Sequence, residues 1–185
     1  MSHGADVTDA QLLEDYLGKR EEASFEALLH RHGPMVLGVC RRILQNDADA
    51  QDAFQATFLV FLRKAATIIP RAMVGNWLHG VAYKTALKAQ AMNRQRRAKE
   101  REAGAIVPPA SVQGGLQDRL EVLDEALSRL PVKYRSAIVL CDLEGKTIKE
   151  AAKQLNCPPG TVASRLATGR ALLAKRLTQI GRAHV

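Results

Sequence analysis

Residues 147–173, TIKEAAKQLNCPPGTVASRLATGRALL, hold both ends of one short helix and the start of another. Thr147 followed by Glu150 is a capping box, which satisfies two otherwise orphaned donors at a helix start. Ile148, Ala151, Ala152 and Leu155 recur at i, i+3, i+4 and i+7, a single apolar stripe. Asn156 tolerates the left-handed backbone that ends a helix, and Pro158-Pro159 cannot continue it. Pro159 suits the first turn of a second helix, whose buried stripe reads Val162, Leu166, Gly169 and Leu173. Two such helices across a tight turn predict a helix-turn-helix, which presents its second helix to the DNA major groove.

At about 100° per residue, the positions opposite that stripe are Ser164, Ala167, Thr168 and Ala171, with Ala163 beside them. Arg165 and Arg170 lie on opposite flanks of the stripe. Small residues at the tip allow close approach to base edges, and flanking arginines suit phosphates. The same pattern also fits an ordinary αα-hairpin with a solvated basic face, so the rest of the chain carries weight.

At 185 residues the chain can bury one or two cores, and its net charge of +8 favours an anionic partner, either nucleic acid or a membrane surface. No apolar run approaches the ~20 residues of a membrane span, and the N-terminus lacks the basic-then-apolar order of a signal peptide. A cytoplasmic chain is expected. Cys40, Cys141 and Cys157 are odd in number and form no C-x-x-C pair, which argues against a disulfide framework and a zinc finger. His30 and His32 near Cys40 would point about 160° apart on a helix, so they read as surface or packing residues. Neither a metal nor a cofactor is expected.

In chain order, Thr8 with Gln11 is another capping-box pattern, before a short amphipathic helix bearing Leu12, Leu13, Tyr16 and Leu17. Ser24 is expected to cap a longer helix reaching Leu44, with a kink or break near Gly33 because of Pro34. The next helix places Asp49, Asp52 and Gln55 on a polar stripe, and Phe54, Phe58, Phe61 and Leu62 on an apolar face. Three of the four phenylalanines stand there, so this helix is the aromatic centre of the first half. A loop with Arg71 follows, then a helix opened by Asn76 and Trp77. That helix begins as core and turns basic through Lys84, Lys88, Arg94, Arg96, Arg97, Lys99 and Arg101. Beside a helix-turn-helix, this charge reads as a surface that neutralises the DNA backbone.

AGAIVPPASVQGG, residues 103–115, has Pro-Pro and Gly-Gly without periodicity and reads as a flexible linker. Beyond it Leu116, Leu120, Leu123, Leu127 and Leu130 repeat at helical spacing, Pro131 stops that helix or starts the next, and Gly145 ends the pair. The expectation is an all-α protein of two small helical domains, 1–102 and 116–185, joined by 103–115.

The stretch ALSRLPVKYRSAIVLCDLEGKTIKEAAKQLNCPPGTVASRL resembles region four of the bacterial RNA polymerase sigma factors of the extracytoplasmic-function (ECF) group. DAQDAFQATFLVFLRKA and the following VGNWLHGVAYKTALKAQ resemble region two. The resemblance implies that Asp49, Asp52 and Gln55 bind the clamp helices of core polymerase. It implies that the −10 promoter element is read and opened by the loop near Arg71 and the helix from Asn76 to Lys88, with Arg94 beyond on the backbone. Region four would dock on the polymerase flap and read the −35 element with Thr161 to Arg170, which includes Ser164, Arg165 and Thr168. An anti-sigma factor is a further candidate partner. Four positions depart from the family pattern: Lys84 stands at its usual Asn, Ala163 and Thr168 at basic positions, and Ala56 at a usual Glu. Trp77 reads as core rather than as a base-stacking wedge.

Two other classes compete. A stand-alone helix-turn-helix regulator would need a dimerising or ligand-binding half, where this chain has an acidic stripe and a basic helix. A recombinase would need a catalytic Ser, Tyr or carboxylate set, and Tyr16, Tyr83 and Tyr134 have no Arg-His cluster around them in sequence. The sequence contains no phosphate-binding glycine loop and no nucleophile motif.

Overall fold

In a computed structural model, which describes residues 7–44, 46–103 and 116–183, eight α-helices and no strand occur among the described residues. α1 (Asp9–Lys19) starts at the expected capping box, with Thr8 N donating to Gln11 Oε1 at 2.8 Å. α2 (Glu22–Ile43) runs unbroken through Pro34, so the interruption expected near Gly33 is not found. A proline inside a helix costs roughly 3 kcal/mol. Here both sides of Pro34 are locked in the core: Gly33 lies under the Phe54 ring, and Val36 and Val39 are fully buried. Ser24 is likewise not the cap. It sits in the first turn and donates to Glu21 Oε2 at 3.3 Å.

α3 (Asp47–Lys64) is capped by Asn46, whose side chain accepts from the Ala48 and Asp49 amides. Its phenylalanines centre the first core. Phe61 is fully buried, stacked at 6.0 Å on Phe25 and edge-on to Trp77 at 6.0 Å. Such aromatic pairs add about 0.5–1.5 kcal/mol beyond their burial. Leu62 does not join them; it is 39% exposed and corrects the expected apolar face. After a turn at Arg71–Met73, α4 (Val74–Glu102) begins at Val74, ahead of the expected Asn76. Val74, Leu78, Ala82 and Ala86 bury its first half, whereas residues 91–102 are largely exposed, so the basic end leaves the core behind.

The second half contains α5 (Leu116–Ser128), α6 (Val132–Ile138), a π-helical turn at Val139–Leu143, α7 (Ile148–Gln154) and α8 (Pro159–Ala183). The linker expectation, apart from Ala103 at the end of α4, lies outside the described residues. Leu127, Leu130, Ile138 and Leu166 form one small core, and Leu140, Ala151, Ala152 and Val162 another. The helix-turn-helix closes as predicted: Thr147 and Glu150 make their capping box, and Asn156 adopts φ 49°. Gly169 permits the close crossing of α8 over α6, since a Cβ there would stand 3.0 Å from Ile138 Cδ1.

The two halves pack against each other. Val139, from the π-helical turn, is fully buried in the first core, and Ser136 Oγ, which donates to Val132 O at 2.5 Å, lies 3.2 Å from Met73 Sδ.

Candidate nucleic-acid interface

On α8 the tip residues are presented outward. Ser164, Ala167, Thr168 and Ala171 are exposed, Thr161 and Ala163 half-buried, while Val162, Leu166 and Gly169 face the core. Arg165 is half-buried with Nη1 3.9 Å from Cys157 Sγ. Arg170 is exposed but not held as a free phosphate ligand: its fork donates to Asp142 at 3.1 and 2.5 Å. A bidentate pair of this kind fixes the guanidinium geometry and competes with a phosphate for it.

In the first half, Lys84 and Lys88 are exposed one turn apart on α4, and Arg94, Arg96 and Arg97 are exposed beyond them. Two expected DNA contacts are placed differently. Arg71 donates to the carbonyls of Ala65, Ala66 and Ile68, holding the loop closed. Asn76 is only 9% exposed and accepts from Arg135 Nε at 2.7 Å. A cleft of about 350 Å³ lies between these parts, lined by Ile69, Trp77 and Lys84 on one side and by Val132 and Arg135 on the other. Trp77, half-buried against Phe61, forms part of its wall as well as of the core.

The acidic stripe divides. Asp52 and Gln55 are exposed, but Asp49 is half-buried and accepts from Asn93 at 2.9 Å, tying α3 to α4. Leu59, 55% exposed, and Leu62 continue the Asp52–Gln55 face along the helix. These leucines were missed as surface residues, although Leu59 falls seven positions after Asp52 and hence on the same face.

Where the halves meet, charged side chains are buried in pairs. His32, fully buried, has Nδ1 2.6 Å from Glu144 Oε1 and Nε2 2.8 Å from Asp9 Oδ2. Asp9 also accepts from Arg31, at 2.5 Å, and from Gln154. Asp124, fully buried, accepts a bidentate pair from Arg42 at 2.7 and 2.9 Å, with His79 Nε2 at 3.2 Å. Burial alone would raise the Asp124 carboxyl, but His79 and Arg42 bring it below the ordinary value. Nothing in the sequence pattern marks these pairings, since Asp and Glu are ordinarily solvated and a histidine is found in either setting.

Burial alone would lower the His32 pKa, but Asp9 from α1 and Glu144 from beyond the π-helical turn hold it at about 9, against 6.5 for a free histidine. A raised pKa contributes stability that is complete below 6.5 and disappears as pH rises through 9. That contribution is on the order of 3 kcal/mol. Melting temperatures taken from pH 7 to pH 10 should therefore fall more steeply for the parent than for His32→Leu. Parallel curves would remove His32 as the titrating group.

Residues 28–99 match the family described as Sigma-70 region 2, and residues 120–173 match Sigma-70, region 4. The chain is 32% identical over 172 residues to the ECF RNA polymerase sigma factor SigM of Mycobacterium tuberculosis (strain H37Rv), covering 92% of this chain and 85% of that protein. The chain belongs to the ECF sigma factor family. It is also 26% identical over 184 residues to the RNA polymerase sigma-H factor of Pseudomonas aeruginosa, covering 91% of this chain and 93% of that protein. Among solved structures, CnrH in complex with the cytosolic domain of CnrY matches with a TM-score of 0.45 at 21% identity, over 92% of this chain and 97% of that one. The region two match runs from within α2 to near the end of α4, and the region four match from within α5 into α8. No helix among the described residues is long and apolar enough to cross a membrane.

Proposed function

We propose that the chain is the promoter-recognising subunit of an RNA polymerase. It binds core enzyme, directs initiation at promoters with −10 and −35 elements, and contributes no catalysis of its own. It works where core polymerase works, in the cytoplasm. Region two corresponds to 1–102 and region four to 116–185, with 103–115 between them. The observation that carries this reading is one chain holding an outward-facing recognition helix and an exposed basic α4 beside an acidic and apolar α3 face. Sigma factors are regulatory subunits, and these surfaces suit DNA backbone, DNA bases and a protein partner respectively.

The roles divide accordingly. Lys84 and Lys88 face the −10 element, with Arg94 on phosphates farther along. Thr161, Ser164, Arg165 and Thr168 face the −35 element. Asp52, Gln55, Leu59 and Leu62 dock on the polymerase clamp helices, with Asp49 holding that face to α4. Run-off transcription with core polymerase, followed by sequencing of transcript starts, tests the whole. Specific starts that appear only when the chain is added are expected. Specific DNA binding without any effect on core would overturn it in favour of a stand-alone helix-turn-helix regulator.

One quantitative consequence concerns the basic end of α4. Neutralising Arg94 or Arg97 should weaken promoter binding across sequences alike and reduce the salt slope by about 1 per lost phosphate contact. A loss confined to particular −10 sequences would instead make these side chains base readers.

A further inference from the structure

We infer that Asp142 is a negative determinant of DNA binding: its carboxylate holds Arg170, so region four meets any DNA one phosphate contact short, and discrimination is left to the tip of α8. The inference rests on the sigma-factor reading above.

Charge alone would make this half of the chain adhere to any DNA. From Arg129 to Val185 the sequence has eleven Lys or Arg residues and three acidic ones, Asp142, Glu144 and Glu150. α8 itself carries no acidic residue. Two of the three carboxylates are engaged elsewhere. Glu144 is buried on His32, and Glu150 accepts from the Thr147 amide and hydroxyl, both at 2.7 Å, in the capping box. Among the described residues, Asp142 is the acid that forms an ion pair with α8.

The backbone aims it there. α6 passes into the π-helical turn Val139–Leu143, where Glu144 N donates to Val139 O at 3.0 Å, five residues back. A π turn holds one residue more than an α turn, which rotates the side chains beyond it by about 100°, and such turns recur at functional sites. Asp142 lies in that turn and accepts from Arg170 Nε at 3.1 Å and Nη2 at 2.5 Å. The pair sits at the surface, with 59% of the Arg170 side chain and 30% of the Asp142 side chain exposed.

Arg170 stands three positions after Ala167 and so borders the outward tip of α8. A phosphate arriving there meets a guanidinium edge already filled by parallel hydrogen bonds, and beside it a carboxylate of its own sign. Arg165, on the opposite flank, makes no carboxylate fork among the contacts described. An exposed ion pair adds little to folding, so the placement of Asp142 acts mainly on what Arg170 can bind. Each phosphate contact steepens the fall of log affinity with log salt by about 0.9, so one contact regained is worth roughly eightfold at ~0.1 M salt and nothing near ~1 M.

The test titrates the full chain onto a short labelled duplex of mixed sequence, followed by fluorescence anisotropy over a series of salt concentrations. Asp142→Asn should bind roughly eightfold tighter than the parent at ~0.1 M salt, with a salt slope steeper by about 1. Asp142→Ser should reproduce the gain, so a folding defect in one variant does not decide the outcome. Glu150→Gln changes net charge equally and keeps a side chain that can close the capping box, so it should move affinity less than about twofold. In an Arg170→Ala background, Asp142→Asn should gain no more than about twofold, because the contact it would release is gone. The gain should be the same on a duplex carrying a promoter mapped by run-off transcription, since a phosphate contact carries no sequence information. Parent-like affinity in both Asp142 variants would overturn the inference and leave the sigma-factor reading intact. An equal gain from Glu150→Gln would also overturn it, by reducing the effect to net charge. So would weaker binding by both Asp142 variants, which would make Asp142 a support for Arg170 on the phosphate. No DNA binding by parent or variants, with no specific starts in run-off transcription, would overturn that reading and this inference with it.

Discussion

Leu59→Asp is expected to weaken binding to core polymerase roughly 100-fold while leaving region two folded. The side chain is 55% exposed, so folding asks little of it, and exposed substitutions usually change stability by less than about 0.5 kcal/mol. On a partner the balance reverses. Covering a leucine contributes about 1.5–3 kcal/mol, and an aspartate in its place would be desolvated without a partner. Together these reach the ~2.8 kcal/mol that a 100-fold change represents. Asp52→Lys, on the same face, should cost less, about fivefold, because exposed ion pairs are worth about 1 kcal/mol or less. Titration of labelled core enzyme with each variant, beside a thermal melt of each, measures both effects. If Leu59→Asp binds core as tightly as the parent, α3 is not the docking face.

That prediction depends on a residue that periodicity alone did not single out, and the reason is general. Local signals were legible wherever the local backbone decides the outcome: the capping boxes at Thr8 and Thr147, the left-handed Asn156, and the outward set on α8. Pro34 failed as a helix breaker because packing around Gly33 and Val36 outweighs a local cost. Leu62 was placed on the apolar face with Phe54 and Phe58 by helical spacing, but it lies about 100° round the helix from the buried Phe61, at the edge of that face, and is 39% exposed. The seam was not legible at all. His32 and Glu144 stand 112 residues apart, and a buried His–Glu contact leaves no periodic trace in the sequence around either residue. Asn76 and Arg71 were expected to reach DNA through resemblance; in this closed arrangement their polar atoms are engaged by Arg135 and by loop carbonyls. Arg170 was similarly committed to Asp142 by a contact 28 residues away.

Thr168→Arg should tighten binding to the −35 element and sharpen it towards guanine-containing sites. Thr168 is exposed on α8, with Ser164 and Ala167 also exposed beside it, so an arginine there meets no obstruction from the core. None of the three native side chains offers the bidentate hydrogen bonds that arginine gives guanine, and one such pair is worth about 1–3 kcal/mol of discrimination. A hydroxyl or a methyl contact gives less. Parent recognition should therefore rest on phosphate contacts and on DNA shape, with modest penalties for single base changes. Arg170, already paired with Asp142, must exchange one acceptor for another to hold a phosphate, whereas Arg165 makes no carboxylate fork among the contacts described. Arg165→Ala should accordingly weaken binding to every site alike, and Arg170→Ala should weaken it less. A competition assay over a randomised −35 segment at fixed salt measures all three variants together. A parent preference as steep as that of Thr168→Arg would mean that Ser164 and Thr168 already read bases strongly, and the shape-based account of this helix would fall.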